Sequence, residues 1–478
     1  MEQWKHLSCE VLSDFPSLDG GQLDALLAQT VEADRTKLVV LDDDPTGIQT
    51  VHDVSVYTDW SEEYIRQGFE EPNKLFYILT NSRGMTPGET AQLHRELAER
   101  IDRIAQEYGI EYMIMSRSDS TLRGHYPLET QVLYQTLARC GTRVDGEILC
   151  PFFQEGGRFT IGNVHYVQQG DELVPAAETE FARDATFGYR HSALPEYIEE
   201  KTEGAYPAGQ VLCVTLDMLR SLDLEGIGRL LERAEGFCKI CVNAVSYQDL
   251  KVFVIALYRA MAGGKRFLCR TAAGLVKVAG NISDRPLLTK RELLPEGAAN
   301  GGLVVVGSHT AKTTRQLERL LEREDVVPIQ FNSDLVLEEN RVFQQEILRC
   351  VRREEEVMRS GKTAVCFTRR TLLSRPEDTR ESALLRSLRI SDGVQQLVGR
   401  LSLQPGFVIA KGGITSSDIG TKALKVKRAN VMGQILPGIP VWQLGPESAA
   451  PGIPYIIFPG NTGDEDGLRR AVEILTGR

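Results

Sequence analysis

Short apolar runs that end in polar loops and are followed by helical segments recur along this chain, and this pattern limits the fold more than any other feature. Three examples in the first half are Lys37–Leu41, Leu75–Leu79 and Tyr112–Met115. Continuous apolar runs of about four to eight residues are typical of strands that are buried on both faces. Because helical segments separate these runs, the strands are expected to run parallel. The pattern predicts an α/β protein with a mostly parallel, Rossmann-like sheet in its first half.

The length of the chain, 478 residues, predicts two or three domains rather than one hydrophobic core. The alternation of strands and helices stops at residues 281–302, where prolines and glycines stand among charged residues, and it restarts at Leu303. Such a break is typical of a linker between domains. We predict a helical N-terminal extension over residues 1–35, a first α/β domain over residues 36–285, a linker over residues 286–302 and a second α/β domain over residues 303–478.

The composition is that of a globular protein in the cytoplasm. The net charge of −11 argues against a general nucleic-acid-binding protein. No apolar run approaches the roughly 20 residues of a membrane-spanning helix, and Met1–His6 lacks the blocks of a signal peptide. The odd number of cysteines, nine, favours a reducing compartment. Cys238 and Cys241 stand in an apolar run, which indicates a buried strand rather than a zinc site.

Polar residues are concentrated where the predicted strands of the first half end. The densest stretch is Ser116–His125, which follows the run Tyr112–Met115 and contains two arginines, an aspartate and three serine or threonine hydroxyl groups besides its first serine. Asp42–Asp44, Thr80–Gly84 and the loop Pro151–Thr160 occupy the same kind of position. The carboxyl ends of the strands are where an open α/β sheet binds its ligand. The three adjacent aspartates must be neutralised by a cation or by arginine, because close carboxylates repel one another.

One alternative for the aspartates is a phosphatase with an aspartyl nucleophile. Asp42-x-Asp44-x-Thr46 after a strand resembles the nucleophile motif of haloacid-dehalogenase-like phosphatases, and Thr80 resembles their second motif. That chemistry also needs a lysine and an acidic pair after another strand. Asp464 and Asp466 lie far away in the sequence, beyond the predicted linker. This alternative also leaves the stretch Ser116–His125 unexplained.

Three loops in the second half combine glycine with hydroxyl or amide side chains at predicted strand ends. They are Gly307–Thr310, Lys411–Ser416 and Pro459–Gly463. Glycines allow close approach of the backbone to a ligand, and free amides at the start of a helix bind phosphate oxygens. None of these loops has the spacing of a Walker A motif. Three such loops in one half of the chain favour a nucleotide site.

Six segments resemble, in the same order, the motifs of one known family. Asp42–Gly47 is similar to an Asp-Asp-x-Thr-Gly strand end, Ser118–His125 to an Asp-Ser-Thr-Leu-Arg-Gly-Asn signature, and Pro151–Thr160 to a Pro-x-x-Pro-x-x-Gly-Arg-x-Thr loop. Gly-Ser, Gly-Gly-x-Thr and Gly-Asn-Phe-Gly elements are matched by Gly307-Ser308, Gly412–Thr415 and Gly460–Gly463. These are motifs of the four-carbon acid sugar kinases, once described as a domain of unknown function. The resemblance runs from about residue 36 to the carboxyl end.

The resemblance implies an ATP-dependent kinase of carbohydrate metabolism that phosphorylates a hydroxyl group of a threonate- or erythronate-like sugar acid. It implies that the first domain, residues 36–285, binds the sugar acid and that the second domain, residues 303–478, binds the nucleotide. The expected cofactors are ATP and Mg²⁺, and the expected partners are small molecules rather than nucleic acid or membrane. A homodimer remains open, because the sequence does not decide the oligomeric state.

The strand-end positions and the resemblance together select the candidate site residues, without assigning metal ligands. Arginines bind carboxylates bidentately, and aspartates accept hydrogen bonds from hydroxyl groups. The expected catalytic residues are Asp119, Arg123 and Asp43. The expected substrate-binding residues are Asp43, Asp44, Ser82, Arg83, Arg117, Ser120, Thr121, Arg123, Gly124 and Arg158. The expected nucleotide-binding residues are Gly307, Ser308, Lys411, Gly412, Gly413, Ile414, Thr415, Gly460 and Asn461.

Several positions depart from the family motifs. Arg117 replaces a lysine, His125 replaces an asparagine, and Ile414 stands where an acidic residue is common. Arginine, unlike lysine, does not act as a proton acceptor. Arg117 and Ile414 therefore keep a further alternative open, namely a sensor that binds a sugar acid and a nucleotide without catalysis.

Overall fold

The structure is a computed structural model that describes residues 4–294, 300–371, 373, 375, 378, 380–460 and 462–477, with the backbone alone at 380, 381 and 384. The chain divides into two compact units. The first unit comprises Met1–Thr50 and Asp59–Asp284, and the second comprises Val51–Thr58 and Arg285–Arg478. The short segment Val51–Thr58, which interrupts the first unit in the sequence, thus belongs to the second unit. The sequence pattern contains no sign of this exchange.

Strands and helices alternate along most of the described chain. The strands are β1 (Leu7–Ser8), β2 (Lys37–Asp42), β3 (Val54–Tyr57), β4 (Leu75–Leu79), β5 (Tyr112–Arg117), β6 (Gly146–Cys150), β7 (Arg158–Ile161), β8 (Val164–Gln169), β9 (Glu172–Pro175), β10 (Leu212–Val214), β11 (Cys238–Val242), β12 (Phe267–Thr271), β13 (Leu303–Val306), β14 (Val326–Phe331), β15 (Thr363–Thr368), β16 (Val408–Lys411), β17 (Arg428–Leu436), β18 (Ile439–Leu444) and β19 (Pro454–Phe458). The helices are α1 (Gly20–Ala33), α2 (Glu62–Glu70), α3 (Pro87–Tyr108), α4 (Leu128–Arg139), α5 (Leu194–Lys201), α6 (Leu216–Arg220), α7 (Leu224–Glu232), α8 (Tyr247–Ala262), α9 (Ala273–Ala279), α10 (Lys290–Leu293), α11 (Ala311–Leu321), α12 (Asn340–Arg359), α13 (Arg380–Gly399), α14 (Gly413–Asp418) and α15 (Gly467–Thr476).

The first unit is built on a parallel sheet with the strand order β10-β11-β6-β12-β5-β2-β4. Strands β2 and β4 are buried at every position, as their continuous apolar runs require. This sheet confirms the α/β fold with a mostly parallel, Rossmann-like sheet predicted from the sequence. It also places the loops that follow β2, β4 and β5 side by side, because these strands are neighbours and run in the same direction.

A small antiparallel sheet in the order β1-β9-β8-β7 also belongs to the first unit. It corrects the helical extension predicted over residues 1–35. Only α1 is an α-helix there, because Leu7 and Ser8 pair with β9 and Cys9–Ser13 forms a 3₁₀-helix. Leu23 and Leu27 lie on the buried face of α1.

The second unit has a mixed sheet in the order β3-β17-β18-β19-β16-β13-β15-β14. Its last five strands are parallel, whereas β3, β17 and β18 are joined to their neighbours antiparallel. The core on this sheet includes Val304, Ile409 and Ile456. The hairpin β17–β18 was not expected, although the alternation of buried residues in β17 carries the period of two that is typical of a half-buried strand.

The buried strand predicted at Cys238 and Cys241 is confirmed, and the start of α3 is capped by a side chain. Thr86 caps α3 in a reciprocal capping box with Glu89, which satisfies backbone donors at the start of the helix. Cys238 and Cys241 both lie in β11, and Cys241 is fully buried. None of the helices that the structure describes is long and apolar enough to cross a membrane.

A buried ion pair joins two neighbouring strands of the first unit and yields a stability prediction. Lys239 of β11 is directly opposite Glu147 of β6, and its Nζ lies 2.5 Å from Glu147 Oε2. The rings of Phe237 and Tyr206 cover the same ammonium group at 3.8 and 4.1 Å. Both charges are almost completely buried, with exposed fractions of 3% and 0%.

We expect Lys239→Met to lower the free energy of unfolding by about 3–5 kcal/mol, because the buried Glu147 carboxylate loses its counter-charge. The double variant Lys239→Met with Glu147→Leu should recover most of this loss, since no unpaired charge remains. Urea denaturation of the full chain, followed by circular dichroism, measures both. Equal losses in the single and the double variant would contradict the explanation.

Candidate functional site

The predicted strand-end residues of the first unit meet at the carboxyl edge of its parallel sheet. Asp42 and Arg117 are the last residues of the neighbouring strands β2 and β5 and lie opposite each other in register. Thr80 donates to the Asp42 carbonyl through its backbone N–H at 2.8 Å, which fixes the loop after β4 against the end of β2. Adjacent parallel strands thus assemble one cluster from residues far apart in sequence.

Two arginines neutralise the three consecutive aspartates of this cluster. Arg83 binds Asp43 through Nη2 at 2.6 Å and Nε at 3.2 Å, and its Nη1 reaches Asp44 at 3.1 Å. Arg117 Nη1 donates to Asp42 Oδ1 at 2.9 Å. The three adjacent aspartates are therefore stabilised by arginine, one of the two solutions that their mutual repulsion allowed.

Asp119 belongs to the same cluster and keeps one oxygen open. Its Oδ2 accepts from Arg123 Nε at 2.7 Å and from the Thr121 hydroxyl, whereas Oδ1 makes no hydrogen bond within the described chain. Burial alone would raise the pKa of Asp119, but the positive charges of Arg83 and Arg123 hold that pKa well below its usual range. Asp119 is therefore an ionised acceptor of hydrogen bonds rather than a base that takes up a proton.

The electrostatic environment separates Asp42 from its neighbours. Burial raises the pKa of Asp42 to about 7, against the opposing effect of Arg117 and with a further contribution from the Asp43 charge. Asp42 Oδ2 and Arg117 Nε are buried without hydrogen-bond partners among the described residues. Burial also acts on Asp44, but Arg83 and hydrogen bonds from Thr46 keep its pKa below the usual value.

The turn that carries Ser118 and Gly124 requires glycine. Gly124 has a φ of +114°, and a Cβ atom there would lie 2.7 Å from both Ser118 Oγ and Arg270 Nη2. Ser118 Oγ in turn donates to Asp43 Oδ2 at 2.5 Å. Gly124 therefore brings the backbone close to the side chains that orient Asp43, and it does so without a side chain of its own.

Two charged residues beneath this cluster were missed by the sequence reasoning. Arg270, at the end of β12, donates to Glu129 of α4 and to Ser116 Oγ, the latter at 3.1 Å. Glu129 also accepts from Ser82 Oγ at 2.6 Å, and Arg270 holds the pKa of Glu129 at about 2 in spite of burial. The available signal was a charged residue inside otherwise apolar, buried elements.

Serine and threonine residues that were predicted to bind the substrate are engaged within the protein. Ser82 is fully buried and its hydroxyl is taken by Glu129. Thr121 is also buried and donates to Asp119. The Ser120 carbonyl lies 2.8 Å from His165 Nε2, and burial lowers the pKa of His165 to about 4, so this histidine is neutral. These residues support the cluster from within.

Arg158 and Arg123 share one aromatic ring. The Arg123 and Arg158 guanidinium carbons lie 5.0 and 5.7 Å from the centre of the Phe181 ring. Arg158 begins β7, and Phe181 lies in the 3₁₀-helix Glu180–Arg183. Asp184 Oδ2 is 3.9 Å from Arg123 Nη1. Neither Phe181 nor Asp184 belongs to a motif recognised in the sequence.

The three glycine loops of the second unit also meet at one edge of a sheet. They follow the neighbouring parallel strands β13, β16 and β19. The Ser308 backbone N–H donates to the Lys411 carbonyl at 3.2 Å, and the Gly412 N–H donates to the Phe458 carbonyl at 2.9 Å. Gly412 has a φ of +123° and its position for a Cβ atom lies 3.1 Å from Ser308 Cβ, so the loops approach closely.

Lys411 is the charged centre of these loops. Its side chain is fully buried, and Nζ donates to the Pro459 and Gly460 carbonyls at 2.6 and 3.2 Å. Burial, reinforced by the charge of Lys312, lowers the pKa of Lys411 to about 7. No carboxylate of the described residues forms an ion pair with Lys411. An anion bound at these loops would meet an ammonium group that lacks a counter-charge.

The remaining residues that were predicted to bind the nucleotide differ in their exposure to solvent. Helix α14 begins at Gly413, so Gly413, Ile414 and Thr415 form its first turn. Ile414 is 74% exposed, whereas Thr415 is buried and packs against Gly307. Asn461 lies outside the described residues.

Two residues next to these loops were missed by the sequence reasoning. Arg370 Nη2 donates to the Ser308 carbonyl at 2.5 Å, and Thr313 Oγ1 lies 3.1 Å from both Ser308 Oγ and the Gly460 carbonyl. Arg370 Nη1 is buried without a partner among the described residues. Thr313 lies in the first turn of α11, directly after the loop Gly307–Thr310, whereas Arg370 is far from every glycine loop in the sequence and reaches Ser308 only in the folded chain.

The described residues do not supply a metal site. Among them, no group of three or more histidine, cysteine, aspartate or glutamate side chains could hold a metal ion. The acidic cluster of the first unit is instead occupied by arginines. The Mg²⁺ expected from the family resemblance stays a prediction.

Two family models match the chain. The sugar-binding N-terminal domain matches residues 38–279, and the nucleotide-binding C-terminal domain matches residues 303–468. The chain belongs to the four-carbon acid sugar kinase family. It therefore combines a sugar-binding with a nucleotide-binding domain, and the resemblance stated from six sequence motifs is confirmed.

Solved structures of low sequence identity have the same fold. Protein HI1011 of Haemophilus influenzae, from the family DUF1537, is 17% identical with a TM-score of 0.59, over 91% of this chain and 100% of its own. A putative tRNA synthase from Salmonella typhimurium LT2 is 16% identical with a TM-score of 0.66, over 92% of this chain and 99% of its own. A search of curated proteins found no relative of this chain.

The raised pKa of Asp42 predicts a specific pH dependence of stability. Between its usual pKa, about 4, and the folded value of about 7, folded Asp42 retains a proton that the unfolded chain has lost. The free energy of unfolding should therefore fall as the pH rises through this window. The amide in Asp42→Asn does not titrate. The free energy of unfolding of this variant, relative to that of the unmodified protein, should therefore rise by about 2–4 kcal/mol from pH 4 to pH 7.

Urea denaturation at several pH values measures this difference. Asp171→Asn, at an exposed position of the same unit, serves as the control and should follow the unmodified protein. Parallel curves for Asp42→Asn and the unmodified protein would show that Asp42 has an ordinary pKa.

Proposed function

We propose that this protein is an ATP-dependent kinase that phosphorylates a hydroxyl group of a small, threonate- or erythronate-like sugar acid. The observation that carries the proposal is the arginine–aspartate cluster at the carboxyl edge of the first sheet. This cluster lies within the match to a sugar-binding domain and leaves Asp119 Oδ1 and the Arg158 guanidinium without hydrogen bonds to the described residues. An ionised acceptor and a free guanidinium are complementary to a hydroxyl group and a carboxylate.

In this proposal the acceptor is held by the first unit. Asp119 accepts a hydrogen bond from the reacting hydroxyl group and orients it, while Arg123 keeps Asp119 ionised. Asp43, fixed by Arg83 and Ser118, binds a second hydroxyl group. Phosphoryl transfer depends chiefly on positioning and charge stabilisation, so a strongly basic residue is not required.

The nucleotide is assigned to the loops after β13, β16 and β19. Backbone amides at the start of α11 would bind phosphate oxygens. Lys411 and Arg370 add positive charge that the described residues do not neutralise.

The aspartyl-nucleophile phosphatase is disfavoured by the position of Asp42. Its side chain is 1% exposed and bound to Arg117, whereas a nucleophile must reach the phosphorus atom of its substrate. The non-catalytic sensor is favoured by one observation, the exposed Ile414 at a position that is commonly acidic in the family. A sensor would bind the acid and the nucleotide without consuming ATP.

We expect a coupled ATP-consumption assay with four-carbon sugar acids to detect turnover by the unmodified protein. Asp119→Asn should reduce kcat by about 100-fold or more, because the reacting hydroxyl group loses its charged acceptor. The thermal transition should stay largely unchanged, since the amide still accepts from Arg123. Asp217→Asn, an exposed aspartate of the same unit, should retain full activity. Binding of acid and ATP without any ATP consumption would identify the sensor instead.

Nucleotide binding should be accompanied by proton uptake at Lys411. At pH 8 a lysine with a pKa of about 7 is mostly neutral, and a phosphate nearby raises its pKa. ATP binding should therefore take up close to one proton, which calorimetry detects as a dependence of the enthalpy on the buffer. Lys411→Met should abolish the uptake, whereas Lys362→Met, at an exposed position, should not. Uptake that survives Lys411→Met would exclude this role.

A further inference from the structure

Arg158 differs from every other arginine of the cluster in the first unit. Arg83, Arg117 and Arg123 each form an ion pair with an aspartate. The Arg158 guanidinium makes neither a hydrogen bond nor an ion pair with the described residues, and its Nε is buried without a partner. A buried donor that remains unpaired costs free energy, which a ligand acceptor removes.

The residues around Arg158 do not supply enough negative charge to balance its guanidinium group. Burial lowers the pKa of Arg158, and the neighbouring Arg123 charge lowers it further, while Asp119 and Glu180 only partly compensate. Two guanidinium groups that lie on one aromatic ring repel each other, although each is attracted to the face of the ring. An anion between or beside them would relieve that repulsion.

The other arginines are less suited to bind a ligand carboxylate. Arg83 donates hydrogen bonds to Asp43 and Asp44, and Arg117 donates one to Asp42. Replacing those contacts by a ligand would leave buried aspartates without a counter-charge, at a high cost. Arg158 can bind a carboxylate without breaking an existing contact.

We propose that Arg158, held beside Arg123 on the ring of Phe181, binds the carboxylate of the acceptor and thereby selects sugar acids over neutral sugars. This inference rests on the proposed function, because it assigns one contact of the same acceptor. Phe181 acts as a positioning residue: it touches both guanidinium groups and orients them, and its flat face explains why an aromatic residue stands there.

The experiment compares the binding of L- and D-threonate and of L- and D-erythronate with that of the neutral polyols threitol and erythritol. Calorimetry on the full chain without nucleotide gives the affinities, and the coupled assay gives KM and kcat. The variants are Arg158→Met, Arg158→Lys and Phe181→Leu. Arg190→Met is the matched control, because Arg190 is an exposed arginine of the same unit whose side chain is 83% accessible.

We expect the unmodified protein to bind at least one acid and to bind the polyols far more weakly. Arg158→Met should weaken binding of the acid by about 10- to 100-fold and raise its KM, with little effect on the weak affinity for the polyol. Arg158→Lys should restore part of the affinity, because a point charge replaces the planar fork. Phe181→Leu should weaken acid binding by a smaller factor, about 3- to 5-fold, and the thermal transitions should stay close to that of Arg190→Met.

The outcomes separate this inference from the kinase proposal. Acid binding that depends on Arg158 without ATP consumption supports the carboxylate site and contradicts the kinase. Turnover of a sugar acid with an unchanged KM in Arg158→Met supports the kinase and overturns the carboxylate site. Equal binding of acid and polyol by the unmodified protein also overturns it, and failure of all four acids to bind overturns both.

Discussion

The pairing of Arg83 and Arg117 with three consecutive aspartates is the interaction on which the proposed acceptor site depends. Asp42, Asp43 and Asp44 follow a fully buried strand, so their charges would be prohibitively costly without counter-charges at the ends of β4 and β5. Neutralisation fixes the three loops relative to one another. Both of these arginines form ion pairs with aspartates, whereas the Arg158 guanidinium forms none with the described residues.

The electrostatic balance gives the aspartates distinct roles although they are chemically identical. The charges of Arg83 and Arg123 keep the pKa of Asp119 low and its carboxylate ionised, whereas burial holds the pKa of Asp42 near physiological pH. Asp43 is oriented by Ser118, which itself depends on the close approach of Gly124. A site of this kind positions hydroxyl groups well and removes protons poorly, which suits phosphoryl transfer better than proton abstraction.

The parts of this architecture that rest on local patterns were predictable from the sequence. Strands such as Leu75–Leu79 and Leu303–Val306 were delimited by their apolar runs, and the polar residues after them marked the sheet edges where the candidate sites lie. Pairings between distant residues were not predictable. The ion pair between Glu129 and Arg270 can be recognised only once α4 and β12 lie together. That Arg158 forms no ion pair within the described part of the chain can be seen only from the folded protein, in which the neighbouring arginines pair with the aspartates.

Two segments show why the remaining elements escaped prediction. The residues Leu7 and Ser8 form a strand because β9 offers an edge, not because of their own propensity. The hairpin β17–β18 alternates buried and exposed residues as a half-buried strand does, but Gly433 and two irregularities in register interrupt the pattern. Tertiary context therefore decided both cases.

The assignment of β3 to the second unit has a consequence for how the chain is made. Residues 54–57 emerge early in synthesis, yet their partners in register, residues 428–431, follow 371 to 377 positions later. The early strand can therefore pair with β17 only after almost the entire remaining chain has been translated. Such a long-range pairing slows folding and exposes an aggregation-prone edge. A gene fragment that starts at residue 285 would encode the second unit without this strand, so its expression would expose the edge of β17 instead of yielding an intact nucleotide-binding domain.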